Sequence, residues 1–98
     1  MTTPGQVSGN VGMSQNGGYI TVNFSWGFSG YVPATVDYVN VDVLIDGQNA
    51  GSFQSGANGS SSVQLIGEGR VVEVVATAYS SNDVELATAS SIITTVAS

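Results

Sequence analysis

The chain has 98 residues, one domain's worth. Val, Ile and Thr supply 28 of them (15, 5 and 8) against 3 Leu, with 13 Gly and 14 Ser, a composition for pleated strands joined by many turns. Seven acids against the single base Arg70 give a net charge of -6, and Lys, His and Cys are absent. That excludes neutralising a nucleic-acid backbone or holding an anionic membrane, and it excludes disulfides, thiolate or imidazole metal sites and histidine-dependent triads.

In chain order, residues 6–13 are a weakly patterned strand at a sheet edge, and Asn16, Gly17 and Gly18 make a turn. Residues 19–26 alternate strictly. Ile20, Val22, Phe24 and Trp26 share one face; Tyr19, Thr21, Asn23 and Ser25 share the other, as in a half-buried antiparallel strand. Residues 27–35 are expected as a loop, since Pro33 cannot donate to a central ladder. The next strand, 36–45, turns Val39, Val41, Val43 and Ile45 inward and Tyr38, Asn40, Asp42 and Leu44 outward. Asp46 and Gly47 tolerate positive φ and close a tight hairpin into 48–54, whose apolar residues are Ala50 and Phe53. Residues 55–60 read as a polar crossing and 61–66 as a short strand with Val63 inward, followed by a corner at Gly67, Glu68 and Gly69. In 70–79, Val72, Val74, Ala76 and Ala78 share a face, while Val71, Val75 and Tyr79 make the other partly apolar, so this strand is expected to be central. A turn over 80–83 leads to a last strand, 84–96.

The expectation is one domain over 1–98, all-β, built as a seven-stranded antiparallel Greek-key β-sandwich, with 1–4 a flexible tail. No stretch reaches the apolar length of a membrane span, and Met1, Thr2, Thr3, Pro4 and Gly5 lack the basic and apolar segments of a signal peptide. A virion-surface, extracellular or cell-surface location is expected from the low charge and the abundance of Ser, Thr, Gly and Asn.

Residues 20–26 (Ile-Thr-Val-Asn-Phe-Ser-Trp) resemble the second strand of fibronectin type III domains, which ends in a core Trp. Residues 41–47 (Val-Asp-Val-Leu-Ile-Asp-Gly) resemble their third strand and its hairpin, and residues 70–79 with the following Ser-Ser-Asn-Asp resemble their sixth strand and turn. The resemblance covers nearly the whole chain and implies a fibronectin type III or immunoglobulin-like sandwich. The family's usual corner, a Leu followed six residues later by a Tyr, is replaced by Ile66 and Val72, and its Pro by Glu68. The absence of a Cys pair with an intervening Trp argues against an antibody-type domain.

Trp26 is in phase with the core and is assigned to it. The candidate contact residues are Phe28 and Tyr31, which flank Gly30 in the expected loop, and Tyr38, which with Tyr19 and Tyr79 lies on an outward face. Asp46 and Asp83 are turn residues. Asp37 and Asp42 point to opposite faces and do not make a catalytic carboxylate pair; Glu73 and Glu85 are expected as solvated neighbours across the last two strands. No acid-rich run supplies the oxygens a calcium site needs, and residues 56–59 lead into a strand where a phosphate cradle needs a helix. No catalytic residue, cofactor or metal is assigned. The expected function is a non-catalytic structural or adhesive module acting on a protein assembly or a surface polysaccharide, such as a virion decoration protein. The alternative is a spacer or carbohydrate-binding module of a secreted polysaccharide-degrading enzyme.

Overall fold

The computed structural model describes residues 7–16, 21–30, 36–64 and 69–96. These residues form seven strands and no helix: β1 (Val7–Asn16), β2 (Thr21–Gly30), β3 (Tyr38–Ile45), β4 (Gln48–Ser55), β5 (Asn58–Gln64), β6 (Val71–Tyr79) and β7 (Glu85–Thr94). All pairings are antiparallel. One sheet has three strands in the order β1-β2-β5, the other four in the order β4-β3-β6-β7. The sheets pack face to face as a β-sandwich, with β6 central in its sheet as its two apolar faces require.

The alternation read from the sequence becomes the core. From β2 come Val22, Phe24, Trp26 and Phe28; facing them are Val39, Val41 and Val43 of β3 and Val72, Val74, Ala76 and Ala78 of β6. Large rings on one sheet thus meet small, branched side chains on the other, the size complementarity that fills an interior without voids. Burying each such Val contributes about 1.5–3 kcal/mol before the cost of ordering the chain.

Two glycines make room for the rings. Gly9 of β1 stands directly opposite Phe28, and Gly59 of β5 opposite Trp26. A Cβ on Gly9 would fall 2.2 Å from the Phe28 ring, and one on Gly59 would fall 2.5 Å from the indole. Each ring therefore lies over the bare backbone of a neighbouring strand. The Trp26 Nε1–H, carried to the core edge, donates to the Gly56 carbonyl at 3.3 Å.

Two expected loops are partly strand. β2 runs on to Gly30 where a loop had been expected from residue 27, because Phe28 keeps the inward phase and β1 stays paired along the whole length. β5 starts at Asn58, inside the expected crossing; its ladder to β2 is continued by the Phe28 N–H, which donates to the Ala57 carbonyl at 2.9 Å. The Asp46–Gly47 hairpin is as expected, with φ of 53° and 82° at its two residues. Ile20, Tyr31, Pro33, Leu65, Ile66 and the tail 1–4 lie outside the described residues.

The corner before β6 is tied by Thr95, the one buried polar side chain among the described residues. Its Oγ1 accepts from the Arg70 N–H at 2.9 Å, while backbone bonds join Gly69 N–H to the Thr95 carbonyl and Thr95 N–H to the Arg70 carbonyl, both at 2.8 Å. Val72 is fully buried. On the same side of the sandwich, β1 lies against β7, and the Gln15 amide imitates a strand backbone. Its Nε2 donates to the Val96 carbonyl at 2.7 Å and its Oε1 accepts from the Val96 N–H at 2.9 Å. The opposite side is left open between the edge strands β4 and β5.

Candidate functional site

Tyr38 starts β3 and Tyr79 ends β6, and antiparallel register sets them directly opposite each other on the outer face of the four-stranded sheet. Their rings stack, centroids 5.1 Å apart and planes 14° from parallel. The Tyr38 hydroxyl donates to Asp83 Oδ1 at 2.7 Å. Asp83 holds φ of 61° in the turn between β6 and β7, where Ser80 bonds back to the chain at Asn82, Asp83 and Val84. That hydrogen bond, with some desolvation and the carboxylate's charge, pushes the Tyr38 hydroxyl up to about 12. The result is a flat aromatic and acidic patch at one end of the sheet.

The other candidates fall differently. Phe28 is not a loop-tip residue: it is 5% exposed, inside the core on the inward face of β2, so it offers no contact surface. Tyr31 and Tyr19 lie outside the described residues. Trp26 is buried, as its phase requires. Tyr38 and Tyr79 stack on each other and do not form a row at sugar-ring spacing. Glu73 and Glu85 are not neighbours: the β6–β7 register pairs Glu73 with Ile92 and Glu85 with Tyr79, at the far end of the ladder.

Asp46 ties the β3–β4 hairpin to the start of β6. Its Oδ1 accepts from the Val71 N–H at 3.0 Å and its Oδ2 from Arg70 at 2.6 Å. The backbone bond first, then Arg70, lowers its carboxyl below the ordinary aspartate value. Asp42 accepts from Ser52 Oγ at 2.7 Å. No group of three or more metal-ligating side chains converges among the described residues, and they contain no helix long and apolar enough to cross a membrane.

Pairing register divides the surface sharply. All eight charged residues fall within 37–46 and 68–85, so β1, β2 and β5 carry none. The outer face of that sheet presents Ser8, Asn10 and Ser14, then Asn23, Ser25 and Ser29, then Asn58, Ser60, Ser62 and Gln64. Shallow depressions of about 480 and 430 Å³ lie over Gly12 and Gly27. The outer face of the four-stranded sheet instead carries acids, tyrosines and aliphatic side chains. A third groove, about 310 Å³, opens between β4 and β5, walled by Phe24, Val43, Phe53 and Val63. Phe53 is 37% exposed and rests against Trp26 at 5.5 Å between centroids. Periodicity placed Tyr38 and Tyr79 outward, but Asp83 as a partner and the exposed side of Phe53 carried no sequence signal.

No family model, curated protein or solved structure matches the chain.

Proposed function

We propose that the chain is a non-catalytic structural or adhesive module of the fibronectin type III or immunoglobulin-like kind. It is displayed on a virion or cell surface and acts through its outer sheet faces on a protein assembly. The fold-family part rests on strand order: β4 pairs with β3 beside β6 and β7, which agrees with the third-strand hairpin of the family and differs from the constant-type immunoglobulin arrangement, where the fourth strand joins the first sheet. The functional part rests on the division of the surface between a neutral amide-and-hydroxyl sheet and an acidic, aromatic and aliphatic one. A protein that presents two unlike flat faces around a dry interior is suited to sit between surfaces. The side chains at hand for chemistry are carboxylates, hydroxyls and one Arg, and the Arg is engaged by Asp46.

The test is co-sedimentation of the purified chain with intact virions, with cells and with insoluble polysaccharide. Saturable pelleting on virions or cells is the expected result. Failure to pellet on any of them overturns the reading, and pelleting on polysaccharide alone favours the carbohydrate-module alternative.

A further inference from the structure

The most exposed aliphatic surface of the four-stranded sheet surrounds an acid. Glu73, central on β6, faces outward and stands directly between Leu44 of β3 and Ile92 of β7. Strand alternation puts Val71 and Val75 on the same face, one on either side of it along β6. Ile92 is 62% exposed and Val71 36%. The Glu73 carboxylate thus sits in a collar of four aliphatic side chains, and among the described residues it has no hydrogen bond or ion pair. Asp42, opposite Val75, adds a second negative charge at the rim. The one basic side chain, Arg70, is held by Asp46 at 2.6 Å, so no Lys or Arg of the chain is left to pair with this patch.

We propose that this patch docks a protein partner through a Lys or Arg side chain whose aliphatic stem lies on the collar and whose cationic head pairs with Glu73. The proposal rests on the contact-module reading above and gives it a partner chemistry. An ion pair in open water is worth little. The same pair under a contact that excludes water is stronger and selects its partner, and a ring of aliphatic groups around the charge is the arrangement that excludes water. Long basic side chains match both parts of the patch, stem to collar and head to carboxylate. Charge also decides against other occupants. A second copy would set Glu73 against the same acid, nucleic acid and anionic lipid would be repelled, and a neutral polysaccharide would cover the carboxylate without compensating it.

The test titrates the 15N-labelled chain at low ionic strength with the capped peptide Lys-Leu-Lys-Gly-Lys-Leu-Lys, and with versions carrying Glu or Ser in place of Lys. Amide shifts centred on Leu44, Glu73 and Ile92 are expected from the basic peptide and none from the acidic one. Glu73→Gln, kept folded as judged by its dispersed spectrum, is expected to weaken binding about fivefold. Ile92→Ser is expected to weaken it while leaving the charge in place. Shifts spread equally over Asp37, Asp83 and Glu85, or unchanged affinity in Glu73→Gln, would overturn the proposal. The Glu73→Gln/Ile92→Ser chain is also put through the sedimentation assay. If it pellets as the unaltered chain does, the module reading stands and this patch is removed. If the unaltered chain pellets on nothing while the peptide result holds, the patch stands and the display reading falls.

Discussion

The two sheets divide the work of the molecule unequally. The three-stranded sheet sends the large rings inward, Phe24, Trp26 and Phe28, and turns a charge-free surface of Ser, Asn, Thr and Gln outward. The four-stranded sheet sends only Val and Ala to full burial and carries the acids, the stacked tyrosines and the exposed aliphatic groups on its back. One sheet is therefore anchored by its inside and nearly featureless outside, the other the reverse. Stability should be most sensitive to the first sheet and recognition to the second. The absence of charge from β1, β2 and β5 also leaves that outer face free to approach surfaces of either sign.

The sharpest way to break this comparison is Trp26→Ala. Removing the buried indole is expected to cost about 3–5 kcal/mol, read as a lower urea midpoint by far-ultraviolet circular dichroism. A loss no larger than that of a surface substitution would show that the rings of the three-stranded sheet do not anchor the fold.

Glycine substitutions sharpen the same point. Gly59→Ala sets a methyl 2.5 Å from the indole, whereas a methyl at Gly51, on edge strand β4, meets nothing within 4 Å. The first is expected to cost about 1–3 kcal/mol by overpacking and the second less than about 0.5 kcal/mol. Equal midpoints for the two variants would mean that the indole does not require bare backbone beneath it.

Thr95→Val keeps the shape but strands the Arg70 N–H, and a cost of about 1–2 kcal/mol is expected. Faster hydrogen exchange should be confined to the β6–β7 end. Exchange spread evenly through both sheets would deny the corner its local role.

Tyr38→Phe is the smallest. The unfolded tyrosine releases its proton near 10 and the folded one near 12. The folded state therefore holds the proton more tightly, and this contribution is complete below pH 10 and lost as pH rises toward 12. Near pH 7 the variant should lose little stability, because the hydroxyl and its carboxylate partner both lie in water. Between pH 10 and 12 it should lose less stability than the unaltered chain does. Identical alkaline curves would remove Asp83 as the partner of this hydroxyl.

Much of the architecture was legible because its strands alternate. Residues 19–26, 36–45 and 70–79 each show period two, and Val22, Phe24, Trp26, Val39, Val41, Val43, Val72, Val74, Ala76 and Ala78 are all buried as that period requires. Phe28 was misplaced because Gly27, Ser29 and Gly30 around it are turn-forming residues. Of β5, residues 58–60 escaped because they carry no apolar side chain and take strand conformation from pairing with β2. Of the proposed contact surface, the outward direction of Tyr38 could be read, but not its stack on Tyr79 or its bond to Asp83, 45 residues away.

By itself the sequence determined which side chains turn inward along each alternating strand, where the tight hairpin falls, and that almost no positive charge is present to balance seven acids. These follow from the two-residue period of an extended chain and from simple counting. Only the tertiary structure decided which strands share a sheet, that Glu73 stands between Leu44 and Ile92, and that the three strands without charge, β1, β2 and β5, lie together in one sheet. Neighbours across a sheet come from strands far apart in the chain, and their register is set by how rings, glycines and turns fit together in the core, which no local pattern encodes.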